Sequence, residues 1–163
     1  MTDRKPGERP TSLQEELKQN RPFPTVSEEA AVALLRAAAL LRRAIAARVE
    51  PHGLSPAQYN VLRILRGAGE RGLTASDIGD RMITRDPDVT RLVDRLEKRG
   101  LVERWRCGED RRVVWTRISP AGLEAIGPLD ASLGELHVAQ LAHLEPETLR
   151  TLIGILEQIR DRG

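Results

Sequence analysis

Residues 86–104, DPDVTRLVDRLEKRGLVER, decide the fold. At about 100° per residue, Val89, Leu92, Val93 and Leu96 gather on one side of a helix, while Asp88, Arg91, Arg95 and Lys98 form a second row. The apolar row is a core-facing stripe. A charged row is in general only a solvated face laced with ion pairs, but its neighbours on the chain argue for more. A short helix precedes it across a tight turn. Gly100 stops it, and two β-rich segments, LVERWRC and RRVVWTRIS, then flank the turn GEDR. That order is helix, turn, helix, hairpin, with Arg111 and Arg112 at the hairpin turn. A helix fits the major groove of duplex DNA, and a flanking basic hairpin reaches the adjacent minor groove.

The upstream unit has its own start signals. Ser55, Pro56 and Gln58 supply an N-cap, a first-turn proline and the reciprocal capping residue of a helix over 55–66 that buries Tyr59, Leu62 and Leu65 and stops at Gly67. Thr74 with Asp77 caps a short helix through Met82, and Asp86 with Pro87 starts the next. The run GAGERG at 67–72 fits G-x-G-x-x-G, but it follows a helix instead of a strand, so its amides are not set up to cradle a pyrophosphate. Before this unit, EEAAVALLRAAALLRRAIAARV repeats Leu34, Leu35, Ala38, Leu41, Ile45 and Val49 at helical spacing. A helix apolar over so much of its surface needs more than one neighbour to cover it. After the hairpin, Ser119 and Pro120 open a helix that Gly127 and Pro128 are expected to kink, and a last helix over about 146–161 carries Leu149, Leu152, Ile153, Leu156 and Ile159 on one face. Residues 1–26 are rich in proline and charge and are expected to form a mobile arm, except where Ser12 and Glu15 make a capping box with Leu13 and Leu17 one turn apart.

Composition narrows the function. The 163 residues include 26 Lys and Arg against 24 Asp and Glu, so any attraction to nucleic acid comes from local arrangement and not from the net charge of +2. Phe23, Tyr59, Trp105 and Trp115 are too few and too scattered for the stacking platforms of single-strand binders. The single cysteine, Cys107, excludes an internal disulfide framework, and the apolar runs fall short of a bilayer span, so a soluble, cytoplasmic protein is expected, with no membrane association. An enzyme is not expected. His52, His137 and His143 stand at no familiar metal spacing with Cys107 or with paired carboxylates, and the serines mostly sit at helix caps. No metal and no cofactor is expected.

The stretches GLSPAQYNVLRIL, GLTASDIGDRM, DVTRLVDRLEKRGLVER, EDRRVVWTRISPAG and LEPETLRTLIGILEQI, in this order and spacing, resemble the MarR family of winged helix-turn-helix transcription regulators over nearly all of residues 27–162. The resemblance implies a mainly α fold with a small β-hairpin wing. Residues 51–118 would form the DNA-binding domain, and 27–50 with 119–163 the dimerisation helices. It also implies a homodimer acting on double-stranded DNA at a pseudopalindromic operator, in most cases as a repressor released by a small anionic or aromatic effector.

The family's recognition helix falls on 87–99, with Asp88, Thr90, Arg91 and Arg95 at positions that face DNA and Lys98 continuing the row. Arg91 is the foremost base-edge candidate, because a guanidinium can donate two parallel bonds to guanine O6 and N7. The wing motif matches Asp110 and Arg112: Arg112 would enter the minor groove, Asp110 would orient neighbouring arginines, and Arg111 would meet a phosphate. Many relatives have Ser where this chain has Asp88. The acid favours the helix dipole but repels phosphate, so it either accepts from cytosine N4 or discourages non-specific contact, and the sequence leaves both open. For an effector, His52 with Arg36 or Arg43 would suit a carboxylate. Two rival readings are a redox-responsive regulator using Cys107, beside Arg106 in the wing, and a winged helix that contacts protein instead of DNA.

Overall fold

The computed structural model describes residues 12–84, 88–106, 108, 110 and 112–161. Two compact units emerge, residues 1–43 and 44–163. In the first, Ser12 and Glu15 form the expected capping box on α1 (Leu13–Glu16), with Leu13 and Leu17 half-buried. The long helix α2 (Val26–Val49) begins where the Thr25 hydroxyl accepts from the Glu28 amide at 3.1 Å. Arg36 of α2 reaches Glu16 of α1 at 2.7 Å. The apolar side chains along α2 remain open: Leu35 is 71% and Leu40 48% exposed.

The second unit holds the core. Its helix α3 (Pro56–Ala68) starts with the Ser55–Gln58 capping box and buries Tyr59, Val61, Leu62 and Leu65. It does not stop at Gly67; the chain leaves the helix at Gly69, whose φ is +63°. Glycine at an exposed helical position costs about 1 kcal/mol relative to alanine, which the preceding turns of buried apolar contact offset. α4 (Ala75–Arg81) is capped by Thr74 with Asp77, and α5 (Val89–Lys98) buries Leu92, Val93 and Leu96. α5 starts two residues later than the Asp86–Pro87 signal, which lies outside the described residues; Asp88 is its N-cap, accepting from the Arg91 amide at 3.2 Å. Gly100, with φ of +71°, ends it as expected.

The wing is the antiparallel pair β2 (Val102–Arg106) and β3 (Val114–Ile118), joined by the two-residue β1 (Leu73–Thr74) in the order β1, β3, β2. Leu73 faces Thr116 across the ladder, Val102 faces Ile118 and Trp105 faces Trp115. The third strand was not legible as a strand, because two residues carry no alternation. Gly72 makes its approach possible: a Cβ there would lie 2.6 Å from the Thr116 carbonyl oxygen and 2.7 Å from the Trp105 ring. The GAGERG glycines thus serve helix termination and sheet contact.

α6 (Pro120–Leu141), capped by Ser119, continues through Gly127 and Pro128 and buries Ile126, Leu129 and Leu133. α7 (Pro146–Arg160) has no buried residue, and Ile153 is 56% exposed. Among the described residues, no helix is long and apolar enough to cross a membrane.

Candidate nucleic-acid interface

The charged row of α5 keeps one side of the helix in solvent while Leu92, Val93 and Leu96 anchor the other. Thr90, Arg91, Arg95 and Lys98 are all exposed, and the Arg91 side chain is 76% accessible. The acids on the same helix behave differently. Arg104 on β2 reaches across to Asp94 at 2.8 Å and also pairs with Glu97. The hydrogen bond from Arg104 and its charge hold the Glu97 carboxyl below the usual carboxylate range. Asp94 and Glu97 thus share the Arg104 charge against the sheet, on a different side of α5 from the exposed Arg91, Arg95 and Lys98. This arrangement was not legible in the sequence, where nothing singles out Asp94, Glu97 or Arg104 as partners.

At the head of the helix, Asp88 engages Arg91 twice. Its Oδ1 accepts from the backbone amide, and its Oδ2 lies 3.0 Å from Nε of the side chain. In the wing, Asp110 Oδ1 accepts from the Arg112 amide at 2.9 Å and the Asp110 carbonyl from the Val113 amide at 3.0 Å, an Asx-type turn that fixes the backbone at Arg112. Arg111, like Cys107, lies outside the described residues. A cleft of about 470 Å³ between the start of α4, α5 and the wing is lined by Ser76, Thr90, Arg104 and Arg112 among others, so helix and wing contribute polar groups to one concavity.

Three sets of contacts tie this platform together, and of these sequence reading offered only the Ser119 cap. Arg99, just past α5, donates to the Gly53 carbonyl at 2.7 Å. The Ser119 hydroxyl donates to the Gly100 carbonyl at 2.6 Å and accepts from the Gly122 amide at 3.0 Å. Arg66 of α3 donates to both oxygens of Asp130 on α6, the longer bond at 3.1 Å, and the Tyr59 hydroxyl adds a third at 3.3 Å. The Arg66 hydrogen bond and charge, helped by Tyr59, hold the Asp130 carboxyl below its ordinary range, while burial pushes the Tyr59 phenol up.

The effector candidates each have their own surroundings. Arg36 is ion-paired with Glu16, Arg43 is exposed at the end of the first unit, and His52 is exposed in the 3-10 turn Glu50–His52.

Residues 52–113 match the sequence pattern of the MarR family. A MarR transcription factor of Planctomyces limnophilus is 36% identical, with 84% of this chain and 99% of that one covered and a TM-score of 0.64. The chain belongs to the MarR family. The S. aureus MepR–DNA complex has the same fold at 18% identity, with a TM-score of 0.76 over 87% of this chain and 100% of that one. The regulator MhqR of Bacillus subtilis is 33% identical over 75 residues, which span 46% of this chain and only 50% of that protein. These relatives are transcriptional regulators, not enzymes.

Proposed function

We propose that this MarR-family chain is a cytoplasmic, homodimeric regulator that binds a pseudopalindromic site in double-stranded DNA, represses nearby genes and is released by a small anionic or aromatic effector. The observation that carries the DNA part is the division of charge on α5. Arg104 occupies Asp94 and Glu97, while Arg91, Arg95 and Lys98 stand in solvent beside a cleft shared with Arg112. In this reading Arg91 and Arg95 enter the major groove with Thr90, Lys98 meets a phosphate, and the wing residues Asp110, Arg111 and Arg112 take the adjacent minor groove. The dimer part draws support from the apolar side chains left open on α2 and α7. Leu35, Ile153 and Ile155 would each be costly to leave in water over a large patch. The effector part rests on the family alone, with Arg43 and His52 as the exposed positions to substitute.

Selection of bound duplexes from a random pool, with the affinity of the winners followed against salt, tests this reading. The expected result is a palindromic consensus with half-sites about one helical turn apart and a steep loss of affinity as salt rises. Arg91→Ala should erase preference at one base pair of each half-site, whereas Arg112→Ala should weaken binding more evenly across sequences. Salt-insensitive binding without a consensus would refute it and favour the protein-contacting winged helix.

A further inference from the structure

An acid in the row that faces DNA demands an explanation, because a carboxylate there repels phosphate. The geometry of Asp88 supplies one. Oδ1 accepts from the Arg91 amide at 3.2 Å and Oδ2 lies 3.0 Å from Arg91 Nε, so each oxygen contacts that residue. We propose that Asp88 is a specificity-determining positioning residue: it holds the Arg91 guanidinium by its Nε edge so that the terminal pair Nη1 and Nη2 is presented to one guanine, and it contacts no base itself. This rests on the DNA-binding reading above.

The Asp88–Arg91 pair is an exposed ion pair one helical turn apart, a type that contributes little to stability. Its effect is on order. An arginine free in water loses rotamer freedom when it docks on a base, and one already held in place loses less. Pairing with Asp88 on the Nε side leaves the end-on donors for guanine O6 and N7, the pairing that discriminates among bases. The negative charge meanwhile weakens contact with phosphates of any sequence. Both effects raise the ratio of specific to non-specific binding, which is the quantity that locates a site among many competitors. The cytosine-reading alternative would have an Asp88 oxygen accept from N4–H, and it predicts a base preference that persists when Arg91 is removed.

Asp88→Asn separates positioning from folding. Asparagine caps a helix as well as aspartate does, but with its oxygen on the Arg91 amide it turns an uncharged NH2 donor toward Nε, so the cap remains and the ion pair is lost. Asp88→Ser, which also caps, is a second variant with too short a reach for Nε. Duplex selection would be run on the wild type, Arg91→Ala, Asp88→Asn, Asp88→Ser and the Asp88→Asn/Arg91→Ala double variant, with helix content and thermal unfolding checked for each. The expected result is that both Asp88 variants fold normally, lose about 3- to 10-fold in preference for the guanine read by Arg91 and bind random DNA more tightly, and that Asp88→Asn changes no base preference in the Arg91→Ala background. Full guanine preference in both Asp88 variants would overturn the proposal. So would a change at another base pair that persists without Arg91, since Asp88 would then read a base directly. A wild type that enriches no sequence would overturn the underlying DNA reading, whereas a guanine preference that survives Arg91→Ala would leave that reading standing and overturn this proposal alone.

Discussion

Gly122→Ala is the substitution whose cost the structure defines most sharply. Gly122 is buried in the first turn of α6, where an added Cβ would lie 2.2 Å from the Leu101 carbonyl oxygen and 2.7 Å from Ile118 Cγ1. The Leu101 carbonyl cannot turn away at no cost, because it accepts from the Ser119 amide at 3.1 Å, and Ser119 in turn bonds the Gly100 carbonyl and the Gly122 amide. Relief therefore requires α6 to move off the end of α5. Overpacking of this kind costs roughly 1–3 kcal/mol, at the upper end when the neighbour is backbone, while alanine's helix preference returns up to about 1 kcal/mol. A net loss of about 2 kcal/mol follows, which for a chain of this size lowers Tm by roughly 4–8 °C. Circular dichroism melts at fixed protein concentration measure it, since an oligomer's Tm depends on concentration. Gly67→Ala is the control. It is exposed within α3 with no atom outside the helix within 4 Å of its Cβ, so it should leave Tm unchanged or raise it slightly. A Gly122→Ala protein that melts with the wild type would refute the reasoning, and one that melts lower should also bind DNA less well, because the displaced contact is at the C-terminal end of α5.

Asp130→Asn should cost about 1 kcal/mol at neutral pH, since it halves the acceptor strength facing Arg66 and Tyr59. Because the folded Asp130 carboxyl titrates below its unfolded value, its contribution is complete above about pH 4 and disappears as pH falls through the lowered folded value. Urea titrations of both proteins should thus differ at pH 7 and converge in acid; a gap that widens in acid would contradict the assignment. Arg104→Ala removes the partner of Asp94 and Glu97 beside the exposed basic row, so the Glu97 carboxyl should titrate at higher pH by NMR and, if that row meets DNA as proposed, binding to random DNA should weaken. Ile153→Lys, at an exposed position of α7, should shift a dimer to monomer in analytical ultracentrifugation without lowering helix content, and an unchanged mass would remove α7 from the interface.

Local chemistry made much of the fold legible. The capping pairs Ser12–Glu15, Ser55–Gln58 and Thr74–Asp77 each form within one helical turn, so spacing alone reveals them, and all three carry the reciprocal bonds. The two stripes of α5 likewise follow from periodicity. Two local signals misled. Gly67 read as a stop although the glycine with positive φ is Gly69, and Asp86–Pro87 read as a start although Asp88 is the cap, because adjacent residues offered equally good chemistry. What periodicity could not supply were pairings fixed only by folding. Arg66 and Asp130 are 64 positions apart, and Arg99 meets Gly53 across 46. The role proposed for Asp88 was hidden for a different reason: an acid at a helix N-cap reads the same whether its second oxygen faces a base or Arg91, and only the fold places Oδ2 beside Arg91 Nε.

These long-range ties constrain how the proposed regulator would be switched. The C-terminal end of α5 is held at Gly100 by Ser119 and, one residue before, at Arg99 by Gly53, while its acids are held by Arg104 of the wing. α3, which underlies α5 in the core, is in turn fixed to α6 through Arg66 and Asp130. Tilting α5 by itself would break several of these bonds at once, each leaving a polar group to be resatisfied at about 1 kcal/mol or more. Turning the winged platform as a body together with the start of α6 breaks none of them. In a dimer whose two α5 helices must meet major grooves about 34–36 Å apart, a small rotation of that body changes the spacing at little internal cost. An effector would therefore act most cheaply on the placement of the whole platform, leaving the order of Arg91 on Asp88 intact in the bound and the released states alike.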